Sequence, residues 1–161
     1  MVEKNNLASQ IKERFGDKIH GVIEKEMPTI ELTPEHLIDV ATTLRDADEF
    51  HFEILLDVCG VDYLDYGVSE WRTEETTLSG FSRAKSVDQR NIEFPWSGHR
   101  FASVYHLLSI KHNHRVRLKV YLPSEPIVPS VTDIWASADW YEREAFDLYG
   151  IVYEGHHDLR R

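Results

Sequence analysis

Two histidine pairs have the residue type and spacing that could bind a metal ion. His112 and His114 are separated by one residue, and His156 and His157 are adjacent. Neutral imidazole is a common ligand of zinc, but a zinc site needs three or four protein ligands. Neither pair has a third ligand at a recognisable spacing, and the H-E-x-x-H motif is absent. We therefore expect no metal site, and we interpret His106, which lies within a strand, as a hydrogen-bonded core residue or a packing residue.

Three carboxylates lie close together in the sequence at Glu142, Glu144 and Asp147. General acid–base catalysis needs groups placed around a substrate, whereas these three crowd one short segment. The chain also has no G-x-S-x-G, G-x-G-x-x-G or Walker sequence, so no motif indicates binding of NADH, flavin or ATP. An autonomous enzyme with a histidine–carboxylate site remains an alternative, which a bound metal or independent turnover would support.

Composition excludes several further classes of function. The chain has 161 residues with 42% hydrophobic residues and a net charge of −10, which predicts one acidic domain without a footprint for nucleic acid or anionic lipid. The single cysteine, Cys59, excludes an intrachain disulfide and a four-cysteine iron–sulfur site, and we expect a buried, inert thiol. No apolar run is long enough to span a bilayer, and residues 1–15 are too polar for a signal peptide.

The acidic cluster belongs to a predicted helix. Asp139 is a good N-cap, Glu142 would complete a capping box, and Gly150 would end the helix in the left-handed conformation. Helical periodicity predicts a buried arc of Tyr141, Ala145, Leu148 and Tyr149, opposite an arc of Trp140, Arg143, Glu144 and Asp147. The helix dipole disfavours an anion in the last turn, where Asp147 lies. The charged arc is therefore either a solvated face with one ion pair or a surface to which a partner supplies basic groups.

The remaining pattern predicts an α+β fold: a single domain with a mixed sheet of four or five strands and two or three helices mainly on one face. Residues 5–15 and 34–45 have helical periodicity, with Thr33 capping the second helix. Strands are predicted over residues 19–24, 50–58, 101–110 and 116–122, with a turn at Asn113 and a bend or bulge at Gly60. In residues 50–58 the predicted buried set is Phe50, Phe52, Ile54, Leu56 and Val58. Residues 65–99 lack periodicity and are interpreted as a surface insertion.

One strand carries a basic row. Arg115, Arg117 and Lys119 alternate with apolar residues over 116–122, which predicts one buried face and one polar face. The row is either an ordinary solubilising surface or a counterpart for acidic groups, on a partner or on the Glu144–Asp147 helix.

The segment ADWYEREAFDLYGIVYEGHHDLRR, residues 138–161, resembles the signature run of the 30-kilodalton subunit of respiratory complex I, the bacterial NADH–quinone oxidoreductase. His157 departs from the pattern, which usually has proline there. The resemblance extends through RFASVYHLLSIKHNHRVRLKVYLP and, more weakly, ILLDVCGVDYLDY. The matching residues are Glu142, Arg143, Glu144, Phe146, Asp147, Gly150, Ile151, Tyr153, Gly155, His156, Asp158, Leu159, Arg160 and Arg161.

The resemblance implies a structural subunit without catalytic residues or a redox cofactor of its own. It implies a place in the hydrophilic arm, peripheral on the cytoplasmic side of the inner membrane, against the 49-kilodalton subunit and close to cluster-bearing subunits; FMN and iron–sulfur clusters would reside in those neighbours. Residues 1–150 would form the domain, and residues 151–161 would begin a partner-wrapping tail that continues in a longer chain. The corresponding subunit of a membrane-bound hydrogenase or another quinone oxidoreductase is the nearer alternative.

The resemblance and the charge pattern together predict the partner interface. The expected interface residues are Glu142, Arg143, Glu144, Phe146, Asp147, Gly150, Gly155, His156, Asp158, Leu159, Arg160 and Arg161. Gly150 and Gly155 are expected to have positive φ angles.

Overall fold

The computed structural model describes residues 4–64, 66 and 98–160. The chain divides into two compact units, one formed by Met1–Asp62 with His99–Arg161 and the other by Tyr63–Gly98. The first unit contains the helices and strands given below. The interpretation of residues 65–99 as a surface insertion falls almost wholly outside the described residues, as does Arg161.

A five-stranded mixed sheet forms the centre of the first unit. Its strand order is β1-β2-β5-β4-β3, in which β2 and β5 are parallel and the other neighbours are antiparallel. Asn113 has a φ of 52° in the turn between β4 and β5, which confirms the predicted turn. The strands are β1 Gly21–Ile23, β2 Thr29–Leu32, β3 Ile54–Asp62, β4 Phe101–Ser109 and β5 His114–Leu122.

Three α-helices, a short 3-10 helix at Gly16–Lys18 and a second, smaller sheet complete the described part of this unit. On the second helix Leu37, Val40, Ala41 and Leu44 are all buried, as their spacing predicts. Thr33 occupies its N-cap position, although its side chain makes no capping hydrogen bond. The elements are α1 Lys4–Phe15, α2 Pro34–Asp46, α3 Ala138–Tyr149 and the parallel strands β6 Ile127–Pro129 and β7 Val152–Glu154.

The hydrophobic core lies on one face of the five-stranded sheet. Along β5, Val116, Leu118, Val120 and Leu122 are buried, and they share one core cluster with buried residues of all three helices. Because side chains alternate along a strand, the residues between them point to the opposite face. The α+β fold predicted from the sequence is confirmed. None of the helices in the described ranges is long and apolar enough to cross a membrane.

The strand predicted over residues 50–58 is wrong in its register. The observed strand β3 begins at Ile54, and its pairing with β4 shifts between Leu55 and Asp57. Leu55 is 4% exposed and Val58 is 2% exposed, whereas Leu56 is 38% exposed. A β-bulge adds one residue to a strand, so the strict alternation of buried residues fails there. The predicted burial of Leu56 is therefore not observed.

Gly60 is not at a bend. It lies within β3 and pairs with Ser103 of β4. A Cβ atom placed there would lie 2.5 Å from Tyr149 Cδ2 and 3.0 Å from Ile151 Cδ1. The absence of a side chain at Gly60 thus allows the C-terminal end of α3 to approach the sheet closely.

We expect Gly60→Ala to lower the free energy of unfolding by about 1–3 kcal/mol, because the added methyl group displaces packed side chains. Chemical denaturation of the purified chain measures this loss. Gly21→Ala is the matched control, since a Cβ atom at Gly21 has no neighbour within 4 Å. Equal effects of the two substitutions would contradict the close approach.

Candidate docking surface

Helix α3 begins differently from the sequence prediction. Its N-cap position is Ser137, which has helical backbone angles, and Asp139 lies inside the first turn. The amide groups of Trp135 and Ala138 bond to the carbonyl oxygens of Val131 and Trp135, so the chain enters the helix through consecutive turns. Backbone acceptors therefore replace a side-chain cap, and the predicted capping box is wrong.

Glu142 is buried rather than exposed to a partner. Its side chain faces the loop before α3, where Oε2 accepts a hydrogen bond from Ser130 Oγ at 2.6 Å and Oε1 accepts one from the Val131 amide at 2.8 Å. Burial raises the pKa of the Glu142 carboxyl, and these two hydrogen bonds offset part of the rise. Glu142 therefore fixes the loop to the helix, so the expected exposure of this residue is wrong.

His156 fastens the C-terminal segment to the first turn of α3. Its side chain is fully buried, and Nδ1 accepts a hydrogen bond from the Asp158 amide at 3.0 Å. The neutral ring must then carry its proton on Nε2. That nitrogen donates to the Asp139 carbonyl oxygen at 3.1 Å and lies 3.2 Å from Asp139 Oδ1.

The same cluster is the arrangement closest to a metal site in the described residues. His157 stacks on His156, and ligand atoms of Asp139, His156 and His157 all lie within 4.8 Å of one another. A histidine that binds a metal normally donates through its second ring nitrogen. The second nitrogen of His156 is an acceptor here, so the ring is oriented for hydrogen bonding to Asp139 rather than for ligation.

The pair formed by His112 and His114 also has a structural contact. His112 Nε2 donates a hydrogen bond to the Asp48 carbonyl oxygen at 2.7 Å, and its ring centroid lies 6.0 Å from that of His114. The hairpin turn is thereby tied to the segment after α2.

The single cysteine is half-buried, whereas a buried thiol was expected. Cys59 lies on β3, where burial and the nearby Asp57 carboxylate raise the pKa of its thiol. A raised pKa keeps the sulfur protonated near pH 7, and the protonated thiol is a poor nucleophile. The chemistry of Cys59 therefore agrees with an inert role, although its burial is only partial.

Arg143 directs the end of the described chain across α3. Its guanidinium lies 4.7 Å from the centroid of the Trp140 ring, and Nε is 3.4 Å from the Arg160 carbonyl oxygen. Arg160 in turn pairs with Asp158 at 3.0 Å, and Leu159 packs against the core. The segment after β7 is therefore held at several points.

Two glycines provide the turns that this path requires. Gly150 has a φ of 72° at the C-terminal end of α3, and Gly155 has a φ of 86° after β7. Both values lie in the left-handed region that favours glycine, which confirms the prediction for these residues.

Four residues form the outer face of α3, defined as Trp140, Glu144, Asp147 and Leu148. Trp140 is 71% exposed and Leu148 is 65% exposed, and the two carboxylate residues between them are exposed as well. The side of the helix that carries Glu142 faces the core, and its buried residues are Ala138, Glu142 and Ala145.

The predicted buried arc is accordingly wrong at two positions and right at one. Leu148 and Tyr149 are exposed, Ala145 is buried and Tyr141 is half-buried. Phe146, expected at the partner interface, is also half-buried. Periodicity alone could not place the helix correctly, because it gave no indication that Glu142 is buried. The signal that sequence reasoning missed is Ser130, a partner for Glu142 in the preceding loop.

We expect Glu142→Ala to destabilise the fold by about 1–3 kcal/mol, because it leaves the buried Val131 amide without an acceptor. Glu142→Gln should retain the fold, since an amide can accept from Val131 and donate to Ser130. Urea denaturation measures both, and Glu144→Ala serves as the exposed control. Similar stabilities of Glu142→Ala and Glu144→Ala would contradict the assigned role.

The raised pKa of Glu142 gives a pH dependence with a definite sign. In the folded state the Glu142 carboxyl has a pKa above its ordinary value of 4.5, so it keeps its proton to a higher pH than in the unfolded state. The stability that this group contributes therefore falls as the pH rises from 4.5 through the raised pKa. The difference in unfolding free energy between the wild type and Glu142→Gln should decrease as the pH rises from 4.5. A difference that increases over this range would show that the ionised form is favoured.

Comparison with known proteins identifies the family. Residues 30–161 match the family described as the 30-kilodalton subunit of respiratory-chain NADH dehydrogenase. An NADH-quinone oxidoreductase subunit from Coxiella burnetii strain RSA 331 is 62% identical over all of this chain and 72% of its own length. The corresponding subunit from Halorhodospira halophila is 45% identical over all of this chain and 71% of its own length.

Solved structures agree with this assignment. The trypsin-resistant fragment of Nqo5 superposes with a TM-score of 0.64 at 27% identity, covering 96% of this chain and 98% of that one. A chain of an archaeal membrane-bound sulfane sulfur reductase has the same fold, with a TM-score of 0.65 at 19% identity over 97% of this chain and 73% of that one. The chain thus belongs to the family of the 30-kilodalton subunit of respiratory-chain NADH dehydrogenase.

Proposed function

We propose that this chain is a docking subunit of NADH–quinone oxidoreductase that supports electron transfer from NADH to quinone without a redox centre of its own. The observation that carries the proposal is the outer face of α3, which leaves Trp140 71% and Leu148 65% exposed beside two carboxylates. Large apolar side chains grouped on one surface are typical of protein interfaces.

Charge favours a basic partner at this face. Glu144 and Asp147 give this face two exposed carboxylates beside the exposed side chains of Trp140 and Leu148. Arginine or lysine side chains of a neighbouring subunit would complement these charges while covering Trp140 and Leu148. Aromatic and charged residues arranged in this way form the energetic centre of many interfaces.

The C-terminal segment extends the proposed interface. His156 and Arg143 hold it against α3, so the chain reaches Arg160 in a defined direction. A segment that is already anchored loses less conformational entropy when it binds along a neighbour. The proposed interface therefore comprises the outer face of α3 with Arg143, Phe146, Gly150, Gly155, Asp158, Leu159, Arg160 and Arg161, and excludes the buried Glu142 and His156 from direct contact.

The proposed partners are the 49-kilodalton subunit and cluster-bearing subunits of the peripheral arm, on the cytoplasmic side of the bacterial inner membrane. FMN and the iron–sulfur clusters would belong to those neighbours and carry electrons from NADH to quinone, a transfer that is coupled to proton translocation in the whole complex. The single cysteine in the sequence supports this division, since the usual iron–sulfur cluster has four cysteine ligands.

We expect charge reversal by Glu144→Lys and Asp147→Lys to reduce incorporation of the subunit by about tenfold while the domain stays folded, because both side chains are exposed. Native gel electrophoresis of solubilised respiratory membranes measures the incorporated fraction, and the pulled-down complex shows whether the 49-kilodalton subunit is retained. Circular dichroism of the purified variant reports folding.

The matched control reverses two exposed acidic residues near the end of α1, by Glu13→Lys and Asp17→Lys. It makes the same change in net charge away from α3 and should assemble normally. Normal assembly of the α3 variant would refute docking through this face, and unfolding of that variant would show that the two carboxylates serve the fold.

We expect Leu148→Ser to change the unfolding free energy by less than about 0.5 kcal/mol, since the side chain is already exposed in the isolated domain. Incorporation should nevertheless fall by about tenfold if the side chain is buried by a partner. Ile38→Ser on α2 is the control, because Ile38 is also an exposed apolar helix residue, at 39%. Unchanged incorporation of Leu148→Ser would remove Leu148 from the interface.

A further inference from the structure

The face of the five-stranded sheet opposite the core has its own charge pattern. The described helices pack against the core face, and we call the other face the outer sheet face. Cross-strand pairing aligns its residues in rows across β2, β5, β4 and β3. Its members include Thr29, Glu31, Asp57, Cys59, His106, Leu108, Arg115, Arg117, Lys119 and Tyr121, together with Ala102 and Val104 of β4, which are buried.

A row of three cations runs along the middle of this face. Arg115, Arg117 and Lys119 alternate along β5, which lies between β2 and β4. Alternate residues of a strand project to the same side at intervals of about 7 Å. This local concentration of positive charge occurs in a chain whose net charge is −10.

Arg115 and Arg117 differ from the other arginines of the described ranges. The side chain of each of the others has an ion pair, a hydrogen bond or a ring contact, and the side chains of these two have none within the described residues. A guanidinium has five donors in a planar fork that matches a carboxylate. The two side chains therefore present unused donors on the outer sheet face.

The neighbours of these arginines do not replace a carboxylate partner. Asp57 lies in the same row as Arg117, but His106 of β4 stands between them. Burial lowers the pKa of His106, and the adjacent Arg117 lowers it further, so the imidazole stays neutral near pH 7. His106 thus separates the two charges without adding one.

The other end of the row has local contacts. Lys119 Nζ lies 4.6 Å from the centroid of the Tyr121 ring, and the Tyr121 hydroxyl donates to Glu31 at 2.7 Å. The surface with unused donors is consequently confined to Arg115 and Arg117, with Leu108 paired beside Arg115.

We propose that the outer sheet face binds an acidic, extended segment of a second neighbouring protein through Arg115 and Arg117. Carboxylates two residues apart on an extended segment repeat at about 7 Å, the same interval as the two arginines. A polyanion such as nucleic acid fits poorly, since it needs a longer basic footprint and is repelled by the acidic chain. The inference rests on the proposed function, and it makes the subunit a bridge between two partners on different surfaces.

Substitution in the assembled complex tests the role of the arginines. Arg115→Gln with Arg117→Gln should reduce incorporation by about tenfold, whereas Arg115→Lys with Arg117→Lys should reduce it less, because lysine keeps both charges without the planar fork. Arg14→Gln with Lys25→Gln removes two exposed cations elsewhere and should assemble as the wild type does. Thermal unfolding of each purified full chain separates loss of binding from loss of the fold.

Photo-cross-linking identifies what covers the face. Leu108→p-benzoylphenylalanine places the reactive group beside Arg115, and mass spectrometry of the complex then locates the adduct. An adduct on an acidic segment of another protein subunit supports the inference. An adduct on nucleic acid or lipid, the absence of an adduct, or normal assembly of the glutamine variant overturns it. If only the Glu144 and Asp147 variant fails to assemble, the proposed function stands and this inference is wrong.

Discussion

A buried carboxylate determines the orientation of helix α3 in this protein. Glu142 accepts hydrogen bonds from Ser130 Oγ and the Val131 amide, and both donors belong to the loop that enters α3. A glutamate removed from water must be satisfied by such donors or by a proton. Burial raises the pKa of the Glu142 carboxyl, and the two hydrogen bonds offset part of the rise. The rotation of α3 and the path of the loop are therefore fixed together.

The exposed surface follows from that rotation. With Glu142 and Ala145 directed inward, Leu148 and Trp140 are directed outward, although both are apolar. Close packing at Gly60 holds the other end of the helix near β3. The buried polar contact thus produces the apolar outer face, because one helix cannot bury both sides against a single sheet.

The sequence predicts the fold well where periodicity is regular. On α2 the residues at helical spacing from Leu37 are buried as predicted, and on β5 every second residue from Val116 is buried as predicted. The prediction fails where one extra residue shifts the alternation of buried and exposed side chains. The bulge between Leu55 and Asp57 exposes Leu56 in this way. A bulge leaves no compositional mark, since it depends on pairing with a strand that is distant in sequence, so single-sequence reasoning has no access to it.

In residues 138–161, too, the sequence predicts what depends on the local backbone and not what depends on distant contacts. Its glycines were predictable, because Gly150 and Gly155 satisfy a local backbone requirement. The division of its charged residues was not, since Glu142 and Glu144 differ only in what the rest of the chain brings near them. One carboxylate meets two donors inside the fold, and the other remains at the surface.

The two surfaces proposed for docking share one physical argument. Folding normally covers large apolar side chains and pairs guanidinium groups, and this chain does so at Trp135 and Arg100. On α3, by contrast, Trp140 stays largely exposed, and on the outer sheet face the Arg117 side chain has no carboxylate partner among the described residues. Apart from the ring contact between Trp140 and Arg143, the described contacts of the isolated domain give no reason for either arrangement. Binding would supply one, because a neighbour can remove the indole from water and give the guanidinium its carboxylate.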